Sequence, residues 1–280
     1  MTVFHTPMVT LSDGNLIPQI GLCVLRIDDE GVTPVVESAL EAGYRHIDGA
    51  AGYNNEAGVG RALQNAGFTQ GENRKNLWVT TKLRDSEQGY DSARKAFDRQ
   101  LDLLQLDYVD MYMLHWPTPF NWRSGETWKA FDEFRAEGRV RTLGVCNFLP
   151  EHLERLHKET GEYPAVNQIE CHPLWNRKPL IAFCRSHGIA VQAYAPLARG
   201  LYLNREIMQQ LAEKYVRTEA QIGLRYLVQQ GISVIPKSTH PDRIFTNADV
   251  FDFELSEADM ALIDMMDEQL RSASIPDDLL

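Results

Sequence analysis

The stretch Gly43-Tyr44-Arg45-His46-Ile47-Asp48-Gly49-Ala50-Ala51-Gly52-Tyr53-Asn54-Asn55-Glu56-Ala57-Gly58-Val59-Gly60 decides how the chain is read. Its first glycine can end a helix, because glycine enters left-handed backbone without steric cost. Arg45 to Asp48 is short enough for one buried strand, with the charge at its C-terminal end. Small residues, a lone tyrosine, two asparagines and a helical start follow. A carboxylate at a strand end and a tyrosine five residues later can face one cleft. In parallel α/β proteins the loops after strand C-termini are where ligands bind. Asp48 could instead cap the next helix, but Asn54 and Asn55 lie nearer to it and can cap it themselves.

Outward from this stretch, short apolar runs alternate with segments of 3.6-residue periodicity. Before it, Met8 to Leu11 and Leu16 to Pro18 form a small hairpin around Asp13-Gly14. A first strand, Gln19 to Cys23, and a helix, Val32 to Ala42, follow. After it come the helix Glu56 to Ala66, the strand Leu77 to Lys82 and the helix Asp91 to Leu104. The strand Tyr108 to Leu114 precedes the helix Gly125 to Glu137, and Val140 to Val145 precedes Glu151 to Glu159. Ala165 to Ile169 precedes Lys178 to His187. Ile189 to Tyr194 precedes two helices, Arg205 to Tyr215 and Glu219 to Gln230. Ile232 to Ile235 is the eighth strand, with a helix opening at Pro241. Eight strand-then-helix units predict a (β/α)8 TIM barrel. No GxGxxG follows the first strand, so the Rossmann fingerprint is missing. No linker or composition shift divides residues 1–280, which read as one domain. Glu257 to Met266 adds a C-terminal helix, and Arg271 to Asp278 reads as a loose end.

Composition narrows the function classes. The 280 residues are 44% hydrophobic and 24% charged, as in an ordinary globular protein with a sizeable core. A net charge of -11 disfavours non-specific nucleic-acid or anionic-membrane binding. No apolar run reaches membrane-spanning length, and Met1 to His5 lacks the pattern of a secretory signal. Cys23, Cys146, Cys171 and Cys184 show no CxxC spacing, so reduced thiols are expected, with no metal site. The expectation is a cytoplasmic protein, acting as a monomer on a small molecule.

In a barrel, the strand ends share one mouth. They carry Asp48, then Thr80-Thr81-Lys82, then His115-Trp116-Pro117, with Tyr53 just after the first. A lone strand-end lysine is usually a solvated charge, and a lone histidine usually structural. Three such groups on successive strands, with a tyrosine beside them, converge on one space. At these residues the chain resembles the aldo-keto reductase family. The resemblance also runs through Asn55-Glu56, Val59-Gly60, Gly144-Val145-Cys146-Asn147-Phe148, Asn167-Gln168-Ile169-Glu170 and Ile235-Pro236-Lys237-Ser238. Within the family it looks closest to bacterial 2,5-diketogluconate reductase-like and protozoan prostaglandin F synthase-like members.

The resemblance implies reduction of aldehyde or ketone carbonyls by hydride transfer from NADP(H). Tyr53 matches the general acid. Lys82 matches the ammonium expected to lower the tyrosine pKa, and Asp48 the carboxylate that holds the lysine charged. His115 matches the residue that orients the carbonyl. Asn147 and Gln168 match the nicotinamide carboxamide contacts, and Tyr194 the ring stacked beneath the nicotinamide. Leu197 matches a pyrophosphate contact, and Val24 and Thr239 are also assigned to the cofactor. Lys237, Ser238 and Arg243 match the grip on the adenosine 2'-phosphate, and Asn247 an adenine contact. Two cations and a hydroxyl suit a dianion, and Pro241 suits the first turn of a helix whose N-terminus favours phosphate.

The chain departs from the family pattern at Cys23, Leu25, Gly49, Arg84, Cys146, Ala195 and Thr246. Leu25 and Arg84 fall where the resemblance places the substrate pocket, with Trp116, Phe120 and Trp122 as apolar wall candidates. Arg84 is expected to give that pocket an anion-seeking feature. The segment Ala198 to Asn204 is short, so an open pocket is expected. Alternative readings are an alcohol dehydrogenase oxidising a steroid- or alkaloid-like alcohol, a cofactor-sensing subunit, and a metal-dependent barrel hydrolase. The last wants more His and carboxylates at strand ends than Asp48 and His115 provide.

Overall fold

A computed structural model describes residues 6–273. Eight strands, each hydrogen-bonded to the next in chain order, form one sheet. They are Leu22–Cys23, His46–Asp48, Trp78–Leu83, Val109–Leu114, Val140–Cys146, Val166–Glu170, Ala190–Tyr194 and Ser233–Ile235. All neighbouring pairs are parallel. The sheet closes on itself. Ile20 bridges Val234, Gly21 N donates to Val234 O at 2.9 Å, and Cys23 N donates to Pro236 O at 3.2 Å. The expected (β/α)8 barrel is the fold observed.

The first strand is shorter than the expected Gln19 to Cys23. At the seam its backbone serves two partners: the bonds just described reach the last strand, while Val24 N donates to Asp48 O on the second. Closure also needs a small residue there, because a Cβ on Gly21 would stand 2.6 Å from the His46 ring. Gly43, at φ 103°, ends the helix Val32–Ala42 as its sequence position suggests.

The helices Val32–Ala42, Glu56–Asn65, Tyr90–Leu104, Ser124–Ala136, Pro150–Thr160, Lys178–Ser186, Glu206–Tyr215, Glu219–Val228 and Pro241–Ala248 follow the expected order. Their buried faces join the strands' outer faces in one apolar cluster, within which the rings of Phe97, Tyr112, Phe131 and Phe134 are in mutual contact. A helix not expected, Gly71–Lys75, is too short to show a period. It serves to bury Arg74, whose guanidinium lies 2.8 Å from Asp110 and donates to Leu77 O.

The hairpin pairs Met8–Thr10 with Leu16–Pro18 in antiparallel register. Gly14 makes the turn at φ 84°. Leu11 and Ile17 pack on Trp78, Met111, Met113, Ala165 and Val166, while Asp13 accepts a 2.7 Å bond from Thr142. Trp78, Ala165 and Val166 lie at strand beginnings, so the hairpin stoppers the N-terminal end and leaves the opposite mouth for the site.

The C-terminal helix runs Glu257–Asp264, capped by the Ser256 side chain accepting from Asp259 N. The segment after it is not all loose. Glu268 N and Leu270 N donate to Leu174 O, and Ser272 and Ala273 donate to Glu170. Residues 274–278 of the expected loose end, and Met1 to His5, lie outside the described residues. Among the described residues no helix is long and apolar enough to cross a membrane.

Val216 is among the non-glycine residues held in left-handed backbone, and its side chain is largely exposed. Val216 caps the helix Glu206–Tyr215 in left-handed conformation, φ 54°, with 84% of its surface exposed. A β-branched residue in this region costs about 1–2 kcal/mol, whereas asparagine tolerates it. Val216→Asn is therefore expected to raise the melting temperature by about 2 °C or more, given about 2–4 °C per kcal/mol for domains of comparable size. Calorimetry on both proteins checks this; a lower melting temperature would show that the valine side chain packs productively.

Candidate active site

Asp48 ends the second strand and Lys82 lies near the end of the third. Both side chains are fully buried, and they face each other. Lys82 Nζ donates to Asp48 Oδ1 at 2.9 Å, to Asp48 Oδ2 at 2.8 Å and to Gly49 O at 2.9 Å. Gln168 Nε2 donates a further bond to Asp48 Oδ1 at 2.8 Å, and another to Gln192 Oε1 at 2.7 Å. The ion pair is thus saturated with hydrogen bonds, the condition under which a buried pair is tolerable.

Directly after Asp48, a 3-10 turn at Ala51–Tyr53 sends the tyrosine back over the pair. The Tyr53 hydroxyl stands 3.5 Å from Lys82 Nζ. His115, just past the fourth strand, meets the Tyr53 ring edge-on with centroids 5.8 Å apart. The four residues expected to act together are therefore brought together.

The titration behaviour differs from the sequence expectation in one respect. The Tyr53 hydroxyl is held well above its ordinary value, chiefly by burial, with the Asp48 carboxylate adding to the effect. Lys82 was expected to lower it. Its charge is instead compensated at close range by Asp48, so desolvation wins. The His115 ring is pushed down to about 3 by burial, with Lys82 and Arg84 adding to the effect. It is a neutral imidazole at physiological pH.

A cleft of ≈ 480 Å³ opens beside these groups, a size suited to a small-molecule ligand. Leu25, Trp116, Asn147, Gln168, Tyr194, Leu197 and Lys237 line it together with Tyr53 and His115. Tyr194 donates to Asn147 Oδ1 at 2.8 Å, and Asn147 Nδ2 donates to His115 O at 3.2 Å. Asn147 at φ 65° and the neighbouring Ala195 at φ 47° take left-handed backbone, strain of the kind that accumulates at ligand sites.

The end of the eighth strand leads past Lys237 and Ser238 into the helix Pro241–Ala248. Ser238 is buried, its Oγ accepting from His240 N at 3.1 Å. Lys237, Thr239 and Arg243 are exposed, while Asn247 is buried. Neither Lys237 nor Arg243 has an ion-pair partner among the described residues. Two unpaired cations beside a helix N-terminus are a donor set that fits a phosphate.

Other expected residues stand elsewhere. Val24 is fully buried; its backbone N–H bonds Asp48 O and its carbonyl accepts from Asn55. Asn55 therefore spends its side chain on Val24 O and Ile27 O and does not cap the helix Glu56–Asn65. Phe120 is 79% exposed and lines a separate depression with Asp85 and Arg123. Trp122 packs on Phe148 and His152 and donates to Glu159 at 2.8 Å. Arg84 corrects the expectation of an anion-seeking lining: it does not line the cleft, and donates to Ala51 O and Asn54 Oδ1 instead.

The sequence reading missed Arg26, Pro196, Arg199, Ile235 and Ala273 as cleft-lining residues, and Cys23, Cys146 and Ala195 stood there only as departures from the family pattern. It also missed Glu170, a fully buried carboxylate at the sixth strand's end. Glu170 Oε1 accepts from His172, from Ser272 N and Oγ at 2.6 Å each, and from Ala273 N at 3.0 Å, which draws the C-terminal segment against the cleft. A carboxylate at a strand end was the available signal. All four cysteines are free and buried, and no group of His, Cys, Asp and Glu among the described residues is arranged for a metal.

The fold and the strand-end residues can be set beside known proteins. The chain belongs to the aldo/keto reductase family, whose model matches residues 19–268. It is 47% identical to an aldo-keto reductase of Mycolicibacterium smegmatis over 92% of each chain. It is 42% identical to methylglyoxal reductase DkgA of Escherichia coli, over 96% of this chain and 97% of that one. Among solved structures, a Bombyx mori aldo-keto reductase in complex with NADP superposes with a TM-score of 0.91 at 36% identity, covering 98% of this chain and 96% of that one.

The buried pair makes an energetic prediction. Lys82→Met leaves Asp48 buried without its counter-charge and is expected to cost about 3–5 kcal/mol of stability. Adding Asp48→Asn removes the stranded charge and should recover a large part of that loss. Denaturant titration of the single and double variants checks it; simple additivity of the two losses would mean that the groups are not energetically coupled.

Proposed function

We propose that this protein is an NADPH-dependent oxidoreductase that reduces aldehyde or ketone carbonyls to alcohols, with Tyr53 as proton donor. The observation that carries the reading is the buried Asp48–Lys82 pair with the Tyr53 hydroxyl 3.5 Å beyond it and His115 alongside, at the wall of a ligand-sized cleft. When bound, the nicotinamide supplies a hydride to the carbonyl carbon. Tyr53 gives its proton to the carbonyl oxygen as negative charge develops there. Lys82 stabilises the phenolate left behind, and Asp48 keeps the lysine aimed. Neutral His115 can donate a hydrogen bond to the same oxygen and fix its angle.

Asn147, Gln168 and Tyr194 would hold the nicotinamide end, and Lys237, Ser238 and Arg243 the 2'-phosphate. The NADP complex of the Bombyx mori relative supports this cofactor. The likeness to a methylglyoxal reductase supports small carbonyl substrates. The same four residues serve reduction and oxidation by microscopic reversibility, so turnover with each form of the cofactor separates this reading from the oxidative one.

Three outcomes test this assignment. Tyr53→Phe should keep fold and cofactor affinity while turnover falls by about two to four orders of magnitude; near-normal turnover would mean that the proton comes from elsewhere. NADPH should be preferred over NADH by about 1–3 kcal/mol, the worth of charge-assisted bonds to the 2'-phosphate that NADH lacks, and Lys237→Ala with Arg243→Ala should erase most of that preference. Equal kinetics for the two cofactors would contradict the phosphate grip. Turnover in reduction should be nearly flat between about pH 5 and about pH 9, since His115 loses its proton far below this window and Tyr53 far above it. An inflection near neutrality that disappears in His115→Gln would show a titrating histidine.

A further inference from the structure

Arg84 follows the third strand, Trp78–Leu83, two residues beyond Lys82. It stands outside the cleft and makes no salt bridge among the described residues. Its Nη2 is nevertheless committed twice, to Ala51 O at 2.7 Å and to Asn54 Oδ1 at 2.7 Å. Ala51 is the first residue of the turn that carries Tyr53, and Asn54 is the residue that ends it. The guanidinium therefore spans the turn from start to finish, with the tyrosine between its two anchors.

The turn is also held by the Tyr53 ring packing on the core and on His115, and just beyond it by the buried Asn55 side chain. Its own backbone bonds are Tyr53 N to Ala50 O at 2.9 Å and a longer one, Asn54 N to Ala51 O at 3.3 Å. Ala51 and Gly52 offer almost no side chain for packing. Asn54 is exposed and sits in left-handed backbone at φ 55°. Asn55 is spent on Val24 and Ile27. Of the bonds made to the turn residues themselves, the two from Arg84 Nη2 are the charge-assisted ones, and they are the ones that tie the start of the turn to its end. Arg84 lies one residue past the strand that supplies Lys82. The ammonium and the turn bearing the hydroxyl are thereby referenced to one rigid element.

We propose that Arg84 is a positioning residue for Tyr53: by clamping the Ala51–Asn54 turn to the third strand it fixes the hydroxyl against Lys82 and presents it to the carbonyl. It touches neither substrate nor cofactor. The proposal rests on the reading of Tyr53 as proton donor. Small displacements of a donor in such a site are costly, up to about a hundredfold in rate for an ångström.

The test is a double-variant cycle on the full chain. Arg84→Met removes the fork and keeps the stem, and Arg84→Lys serves as the milder variant should the first fold poorly. Turnover and KM for a small neutral aldehyde with NADPH are measured, together with cofactor affinity by fluorescence quenching and melting temperature. Arg84→Met is expected to lower kcat by about ten- to a hundredfold, with KM and cofactor affinity within about twofold of the parent, since Arg84 touches neither ligand. Added guanidinium ion should restore part of kcat. In a Tyr53→Phe background the same substitution should have almost no further effect, because the group being positioned is gone. An equal loss in both backgrounds would overturn the proposal, as would a change in KM confined to charged carbonyls, which would make Arg84 a substrate contact. Should Tyr53→Phe itself retain full turnover, the proton-donor reading fails, and that result is distinct from additivity in the cycle.

Discussion

A charge pair sealed inside the barrel mouth is what the rest of the site depends on. Asp48 and Lys82 are both fully buried, and either alone would be expensive to keep there. Together they are tolerated because the strong donors and acceptors find partners: Gly49 O accepts one hydrogen bond from the ammonium, and Gln168 donates a further one to the carboxylate. Gln168 in turn leans on Gln192, so four strands contribute to holding the pair. A polar network of this kind is rigid because any rearrangement strands a charge. Tyr53 and His115 are placed against that fixed point, and the cleft is defined by them.

The local low dielectric has consequences that the residue types alone do not convey. A tyrosine beside a lysine suggests a lowered pKa. Burial beside a lysine already neutralised by aspartate gives the opposite direction. The same desolvation holds His115 neutral. Both effects suit an enzyme that delivers a proton to a carbonyl, since the donor is loaded and the orienting ring stays uncharged over the working range.

The barrel was legible in the sequence because each strand is a short apolar run followed by an amphipathic helix, and the polar residues at its mouth follow from strand ends. Asp48, Tyr53, Lys82 and His115 could be placed near one another from that register alone. What was not legible depends on contacts between distant segments. The five-residue helix Gly71–Lys75 is shorter than the period that would reveal it. The return of Ser272 and Ala273 to Glu170 joins residues about a hundred positions apart. Arg84 and Asn55 carry side chains long enough to choose among several partners, and each chose backbone carbonyls over the role their position suggested. Phe120 and Trp122 belong to a loop whose path periodicity does not constrain.

The central claim is that Tyr53, fixed by the Asp48–Lys82 pair, delivers the proton in the same step in which hydride reaches the carbonyl carbon. The most direct measurement is single-turnover reduction of an aldehyde with NADPH deuterated at the transferred position of C4, in water and in heavy water. The account predicts a primary isotope effect and a solvent isotope effect expressed on the same step, with the solvent effect lost or sharply reduced in Tyr53→Phe. A solvent effect unchanged by that substitution would place the proton donor elsewhere and contradict the account.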